Sequence, residues 1–319
     1  MITDEAHLLS SAMGYRKKVL FEINRISKNF AKNILISATL NSLVRELGYK
    51  LIQVERVENA TVKLQTIAYQ TDALNSLFDY TQKQLATNGG KIVIELNSRS
   101  KGLKLQKALQ KANINTEFVC KEFNEAKLNE IVKDELLPND LQVLICTSLV
   151  EFGVNFKNTD LHEFIYVNSQ QNFQIESYLQ LMGRARCMQD YTFSLFLSKS
   201  QVEKSSEKQA YKSWFQSKMK AAQAELAQCN LSKTYYEAQV IAHEKQHSHK
   251  NIGLGQAIVF NQNTANYEIN KHFILFVTQQ DYANCVGYEQ TIKELTSYPH
   301  ITNVGITYLH AAADRRAHV

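Results

Sequence analysis

No stretch of this chain approaches the ~20 apolar residues that a bilayer-spanning helix needs. The opening residues carry Asp4 and Glu5 and no basic run, so no signal peptide is expected. Cysteine is scarce, with five among 319 residues (Cys120, Cys146, Cys187, Cys229 and Cys285), and no two form a C-x-x-C pair. That scatter argues against a disulfide scaffold and for a reducing, cytoplasmic setting. Two prolines, 11 glycines and the lack of any repeat or low-complexity tract leave a chain with room for about two folded domains. The formal net charge of +5 agrees with a polyanionic partner, but many soluble enzymes share it.

What is present begins with alternating apolar runs. Residues 33–36 read as a short strand running into Ser37-Ala38-Thr39, residues 40–48 as a helix stopped by Gly48, and residues 51–54 as another strand. Residues 57–70 read as a connector. A second α/β unit follows. Residues 73–87 have helical spacing and end at Asn88-Gly89-Gly90, a helix-stop and turn signal. Residues 91–96 are β-rich, 103–112 helical, and 142–146, 164–167 and 191–197 strand-like. Strands alternating with helices predict a parallel, doubly wound sheet, with active groups at the carboxyl ends of its strands. Further on, Tyr211, Phe215, Met219, Ala222 and Leu226 form one stripe of an amphipathic helix. Residues 257–260 and 273–277 both look like β-runs.

Four strings stand out in order: Asp4-Glu5-Ala6-His7; Ser37-Ala38-Thr39; Thr147 to Asn155, with Gly153 inside it; and Gln180-Leu181-Met182-Gly183-Arg184-Ala185-Arg186. Together they resemble motifs II, III, V and VI of a superfamily 2 nucleic-acid helicase of the DExH/DEAH kind. The resemblance covers roughly residues 1–200. It implies a remnant of a first RecA-like domain (1–56), a complete second one (57–200) and an accessory helical or mixed region (201–319).

By that resemblance the chain binds ATP and Mg²⁺. Asp4 would hold Mg²⁺ through ATP, and Glu5 would orient or deprotonate the attacking water. Arg184 and Arg186 would reach the phosphates, since a guanidinium has a permanent charge and donors that match phosphate oxygens. His7, Ser37, Thr39 and Gln180 would couple nucleotide state to the domain interface. Gly153, Asn155 and Gly183 would line the nucleotide side. Thr147, with Asn97, Ser98 and Arg99 in the place of motif IV, would grip the phosphates of a single strand of DNA or RNA without reading sequence. The spacing departs from Q-x-x-G-R-x-x-R, because Cys187 stands where the last arginine would be. It fits the variant of the Dicer-like and RNA-sensor branch, which leaves open which arginine meets the γ-phosphate. DNA is preferred over RNA because nothing resembles the Q-motif context of RNA DEAD-box proteins.

One part of such a motor is missing. No glycine begins a G-x-x-x-x-G-K-[ST] run; Gly89-Gly90-Lys91 comes nearest, and Ile92 follows where a Ser or Thr must hold Mg²⁺. The chain is therefore expected to be cut inside the first motor domain and inert as an ATPase by itself. Two other readings belong to different classes. One is a nucleic-acid-binding module or degenerate helicase without ATPase activity. The other is a zinc peptidase, because His243-Glu244-Lys245-Gln246-His247 matches H-E-x-x-H. Both intervening residues are strongly polar, and no third ligand follows at a recognised spacing, so a solvated helix end, or a basic surface that helps hold phosphates, is preferred.

Overall fold

A computed structural model describes residues 2–3, 26, 30–36, 50, 52, 61–70, 72–120, 123–147, 154–169, 172–185, 190–206, 211–231, 257–261 and 266–309. The strands are β1 (Ile2–Thr3), β2 (Ile34–Leu35), β3 (Thr61–Tyr69), β4 (Lys91–Leu96), β5 (Thr116–Val119), β6 (Val143–Cys146), β7 (Leu161–Val167), β8 (Asp190–Ser198), β9 (Ile258–Asn261), β10 (Asn266–Ile269) and β11 (Ile301–Leu309). The helices are α1 (Ala73–Asn88), α2 (Arg99–Lys111), α3 (Glu125–Asp134), α4 (Ile175–Met182), α5 (Lys199–Val202), α6 (Tyr211–Leu231), α7 (Lys271–Cys285) and α8 (Tyr288–Leu295). They divide between two compact units: Met1–Val54 with Lys208–Asn284, and Glu55–Glu207 with Cys285–Val319.

The second unit is built on a seven-stranded sheet in the order β11-β3-β8-β7-β4-β6-β5, every neighbour parallel. A parallel sheet is covered on both faces, which is why its strands read as apolar runs rather than alternations. Ile92, Val93 and Ile94, then Val143, Leu144 and Ile145, are all fully buried or within 1% of it. On one face α1 and α2 supply Leu77, Phe78, Leu105 and Leu109 to the core. Asp72 starts α1 by accepting from the Leu74 and Asn75 amides at 2.8 and 3.2 Å, and Gly89 ends it at φ +64°. Helix α2 seats itself through Gly102, where an added Cβ would lie 2.4 Å from the Phe118 ring.

Two segments of this sheet were not visible as such. Residues 61–69, read as connector, form the nine-residue strand β3 between β11 and β8. Lys63 and Gln65 disguise it; Val62, Leu64, Ile67 and Ala68 bury it. Strand β11 lies in a stretch to which the sequence assigned no element, and it adds an edge beyond β3. Tyr288 of α8 fastens to that region by donating from its hydroxyl to Thr66 Oγ1 at 2.9 Å.

In the first unit, β1 and β2 pair in parallel, Ile2 opposite Ile34 and Thr3 opposite Leu35. The apolar stripe on residues 211–226 does lie on one helix, α6, with Phe215 and Ala222 buried. Leu226 packs against Ile258 and Tyr267 of the antiparallel pair β9–β10. Residues 273–277, expected as a strand, are instead helical within α7. Asn270 decides this locally: its side-chain oxygen accepts from the Phe273 amide at 3.1 Å and its carbonyl from Ile274 at 3.2 Å. Propensity in a short apolar run yields to such a cap. Lys218 of α6 pairs with Asp281 of α7 at 2.6 Å. No helix among the described residues is long and apolar enough to cross a membrane.

Candidate nucleotide and nucleic-acid site

Parallel pairing brings the carboxyl ends of β4 and β6 to one level, with Glu95 opposite Cys146. Thr147 leaves β6 there, half-buried. Asn97 and Ser98 leave β4 beside it, and Arg99 opens α2. Ser98 occupies the N-cap in an extended conformation without a side-chain cap bond, and the first turn of α2 holds no acid. The first amides of α2 therefore face the same end of the sheet as Thr147, a polarity suited to an anion. Arg99 is exposed, its guanidinium carbon 5.7 Å from the centre of the Phe123 ring. These four sequence-selected residues are thus brought together.

Arg184 and Asn155 belong to a different place. Arg184 is only 7% exposed, and its Nη1 lies 3.5 Å from Asn155 Oδ1. Asn155 in turn donates from Nδ2 to Glu135 Oε1 at 2.8 Å, and the other Glu135 oxygen pairs with Lys157. Backbone bonds fix the same group: the Phe156 amide to the Arg184 carbonyl and the Lys157 amide to the Glu135 carbonyl, both 2.8 Å. Glu135 ends α3, the helix that returns the chain to the start of β6. Asn158, three residues before β7, takes the Leu137 amide at 2.7 Å. Tyr191, second in β8, donates to the Met182 carbonyl at the end of α4. Every anchor lies toward the amino ends of the strands.

The sequence-selected residues therefore do not all lie at the carboxyl ends of the strands, where the sequence had placed them. A strand of seven residues spans roughly 23 Å, so a chain that leaves β6 at Thr147 and enters β7 at Leu161 must travel back along it. Topology alone separates Thr147 from Asn155, which the sequence had placed in one string.

Of the other selected residues, Gln180 is buried on α4 at 5% exposure, and Gly183 closes that helix, its amide 3.0 Å from the Leu179 carbonyl. Asp4, Glu5, His7, Ser37, Thr39, Gly153, Arg186, His243 and His247 lie outside the described residues. Among the described residues no group of three His, Cys, Asp or Glu side chains could hold a metal ion.

Several supporting residues were not singled out. Glu135, in a left-handed conformation at φ 54°, joins the Asn155–Arg184 group only through tertiary packing, and no local signal marks it. Gln201 is different. Ser198 and Gln201 form a capping box at the start of α5, and Gln201 also donates to the Asn168 carbonyl at 3.1 Å, bracing the exit of β7. The S-x-x-Q spacing was legible.

Comparison with known proteins bears on residues 70–188, which match the family model of the helicase conserved C-terminal domain. No curated protein matches the sequence. Among solved structures the chain is similar to Mss116p bound to ssRNA and AMP-PNP, at 22% identity and TM-score 0.47, over 63% of this chain and 44% of that one. It is similar to S. cerevisiae Dbp5 bound to RNA and ADP BeF3, at 14% and 0.44, over 61% and 52%. A third is the Mycobacterium smegmatis helicase Lhr bound to ssDNA and AMP-PNP, at 18% and 0.40, over 61% and 28%. The chain spans about half the length of these structures or less. Its parallel seven-stranded sheet with flanking helices is an α/β fold of the RecA-like kind, and residues 70–188, which lie largely within it, are the part that matches the helicase conserved C-terminal domain model.

Proposed function

We propose that this chain is part of an ATP-dependent helicase or translocase that moves along single-stranded DNA or RNA. The observation that carries the proposal is the division of one sheet into two chemically distinct ends. Phosphate-suited groups, exposed at Asn97 and Arg99 and half-buried at Ser98 and Thr147, gather at the carboxyl ends. A buried guanidinium, Arg184, is held with Asn155 toward the amino ends. A motor needs both, because the strand and the nucleotide must be gripped at separate places for one to drive the other.

In this reading Asp4, a hard oxygen donor, would hold Mg²⁺ beside ATP. The ion would neutralise charge on the β- and γ-phosphates. Glu5 would orient the attacking water, and Arg184 or Arg186 would stabilise the charge of the transferring phosphoryl group. His7, Ser37, Thr39 and Gln180 would relay nucleotide state, with Gly153 and Gly183 shaping the nucleotide side. A second reading, a binding module without ATPase activity, is favoured by one observation: no phosphate loop occurs among the 11 glycines.

Two measurements separate them. Positioning and charge stabilisation supply nearly all of phosphoryl-transfer catalysis. Purified chain should therefore release no more phosphate than buffer, with or without single-stranded nucleic acid. Once a segment bearing a phosphate loop completes the motor, stimulated turnover should appear, and Glu5→Gln should lower it by about 10²-fold or more. Absence of turnover in the completed protein favours the binding module. Turnover by this chain alone, abolished by Glu5→Gln, would contradict the need for an added phosphate loop.

A further inference from the structure

We propose that the outer face of α2 is a second phosphate-binding surface, which continues the path of a single strand away from Thr147 and Arg99. The inference rests on the reading that this end of the sheet holds a nucleic-acid backbone.

The charge of this helix is one-sided. Its thirteen residues hold Arg99, Lys101, Lys104, Lys107 and Lys111 and no acid, a formal +5 equal to the net charge of the entire chain. Its neighbours differ: α1 carries Asp79 and Lys83, and α3 mixes Glu125, Glu130 and Asp134 with Lys127 and Lys133. Two cations in the first turn of α2 also oppose the helix dipole, so they do not serve the helix itself.

The placement is equally particular. Lys104, Lys107 and Lys111 follow an i, i+3, i+7 spacing and share one exposed face. The opposite face buries Gly102, Leu105, Ala108 and Leu109. Gln106 and Gln110 clamp the helix to β5 by donating to the Thr116 carbonyl at 3.2 and 2.9 Å. Lysines elsewhere find carboxylates, as in Lys127–Glu130, Lys199–Glu203 and Lys218–Asp281. Among the described residues no ion pair involves Lys101, Lys104, Lys107 or Lys111. From Arg99 to Lys111 the helix runs about 18 Å, so the cations form a line rather than a point. A line of ammonium groups from Lys101 to Lys111 on a rigid helix, none of them in an ion pair among the described residues, fits an extended polyanion whose charges repeat along its length.

The test compares the chain with its Lys104→Gln/Lys107→Gln/Lys111→Gln variant, which keeps side-chain length and removes three charges. Binding is measured by fluorescence anisotropy across a salt series, with labelled single strands of about five and about 20 nucleotides. For the longer strand the slope of log K against log salt should fall by about 2, counterion release being about 0.7 per phosphate for single strands. That corresponds to an affinity loss of about 10²-fold at about 0.1 M salt when the two lines meet near 1 M. The shorter strand should bind both proteins alike, and the Arg-substituted triple variant should retain the slope on the longer one. An unchanged slope on the longer strand, from a variant whose thermal melt matches the parent, would overturn the α2 surface and leave the proposed function standing. If the parent chain binds neither strand, that reading falls and this one with it. Competition by polyglutamate as effective as by the oligonucleotide would assign the face to an acidic protein segment and overturn the proposal.

Discussion

The two ends of the seven-stranded sheet solve opposite electrostatic problems. At the carboxyl ends Asn97 and Arg99 are exposed, and the first turn of α2 lacks a side-chain cap. At the amino ends, ionisable groups are sunk into hydrogen-bonded clusters: Arg184 at 7% exposure beside Asn155, Lys91 at 5% beside Asp160, and Glu163 at 1%. An open end can exchange an anion with solvent. A buried one holds its charges in fixed geometry, because an unpaired charge in that setting is costly. Under the proposed function, the difference implies that affinity for a strand and response to a nucleotide can be altered independently in one small domain.

The largest expected effect comes from Arg184→Ala. In the completed motor, nucleic-acid-stimulated phosphate release should fall by about 10³-fold, the scale of a lost arginine finger, while strand affinity stays within about twofold of the parent at low salt. Thr147→Ala should do the reverse, weakening the strand several-fold in anisotropy and leaving turnover at saturating strand nearly intact. If both variants lower the same quantity, the two ends are not functionally distinct.

Glu163 sharpens the comparison at the buried end. Tyr80 donates to its Oε1 at 2.8 Å and Ser194 donates to the same oxygen. Burial raises its pKa to about 7, which the two hydroxyls only partly oppose. The folded state thus favours the neutral acid. Its contribution is fully present below the ordinary carboxylate value near 4.5 and is lost as pH rises through about 7. The full span is on the order of 3 kcal/mol. Glu163→Gln should flatten the pH dependence of thermal melting between pH 5 and pH 8 (roughly the window of the shift). Parallel curves for parent and variant would show that this carboxyl does not titrate with unfolding.

His272, in the other unit, runs the opposite way. Burial lowers its pKa to about 4. Its contribution is present above the ordinary histidine value near 6.5 and is lost as pH falls toward 4. His272→Gln should therefore blunt acid unfolding of the unit that contains α7, read by circular dichroism; an unshifted acid limb would exclude the role. The smallest effect is expected from Arg99→Ala. It should reduce the salt slope of strand binding by about 0.7, with no change in base preference; a marked change in preference would place Arg99 on a base edge.

Much of the second unit was legible residue by residue. The run at 91–96 coincides with β4, and the helix expected over 73–87 ends at Gly89 as its turn signal implied. Long apolar runs and glycine stops act over a few residues, so they survive any tertiary context. Disguised or ambiguous segments did not fare so well. Thr61 to Tyr69 carries Lys63 and Gln65 on a strand whose pairing partners, β8 and β11, lie more than a hundred residues away. Residues 273–277 have β-type composition and are held helical by the cap at Asn270. Of the candidate site, the Asn97–Arg99 turn and Thr147 were readable because each follows a recognisable strand.

By itself the sequence determined the α/β alternation, the parallel sheet, the ordered motif strings and the density of positive charge between residues 99 and 111. Each is a matter of local composition or spacing, which the chain carries wherever it folds. Only the tertiary structure decided that Thr147 and Asn155 part company, that Glu135 joins Asn155 and Arg184, and that β3 and β11 complete the sheet. Those outcomes depend on which strands pair and in which direction the loops return. Pairing is settled by the mutual burial of faces distant in sequence, which no window of neighbouring residues contains.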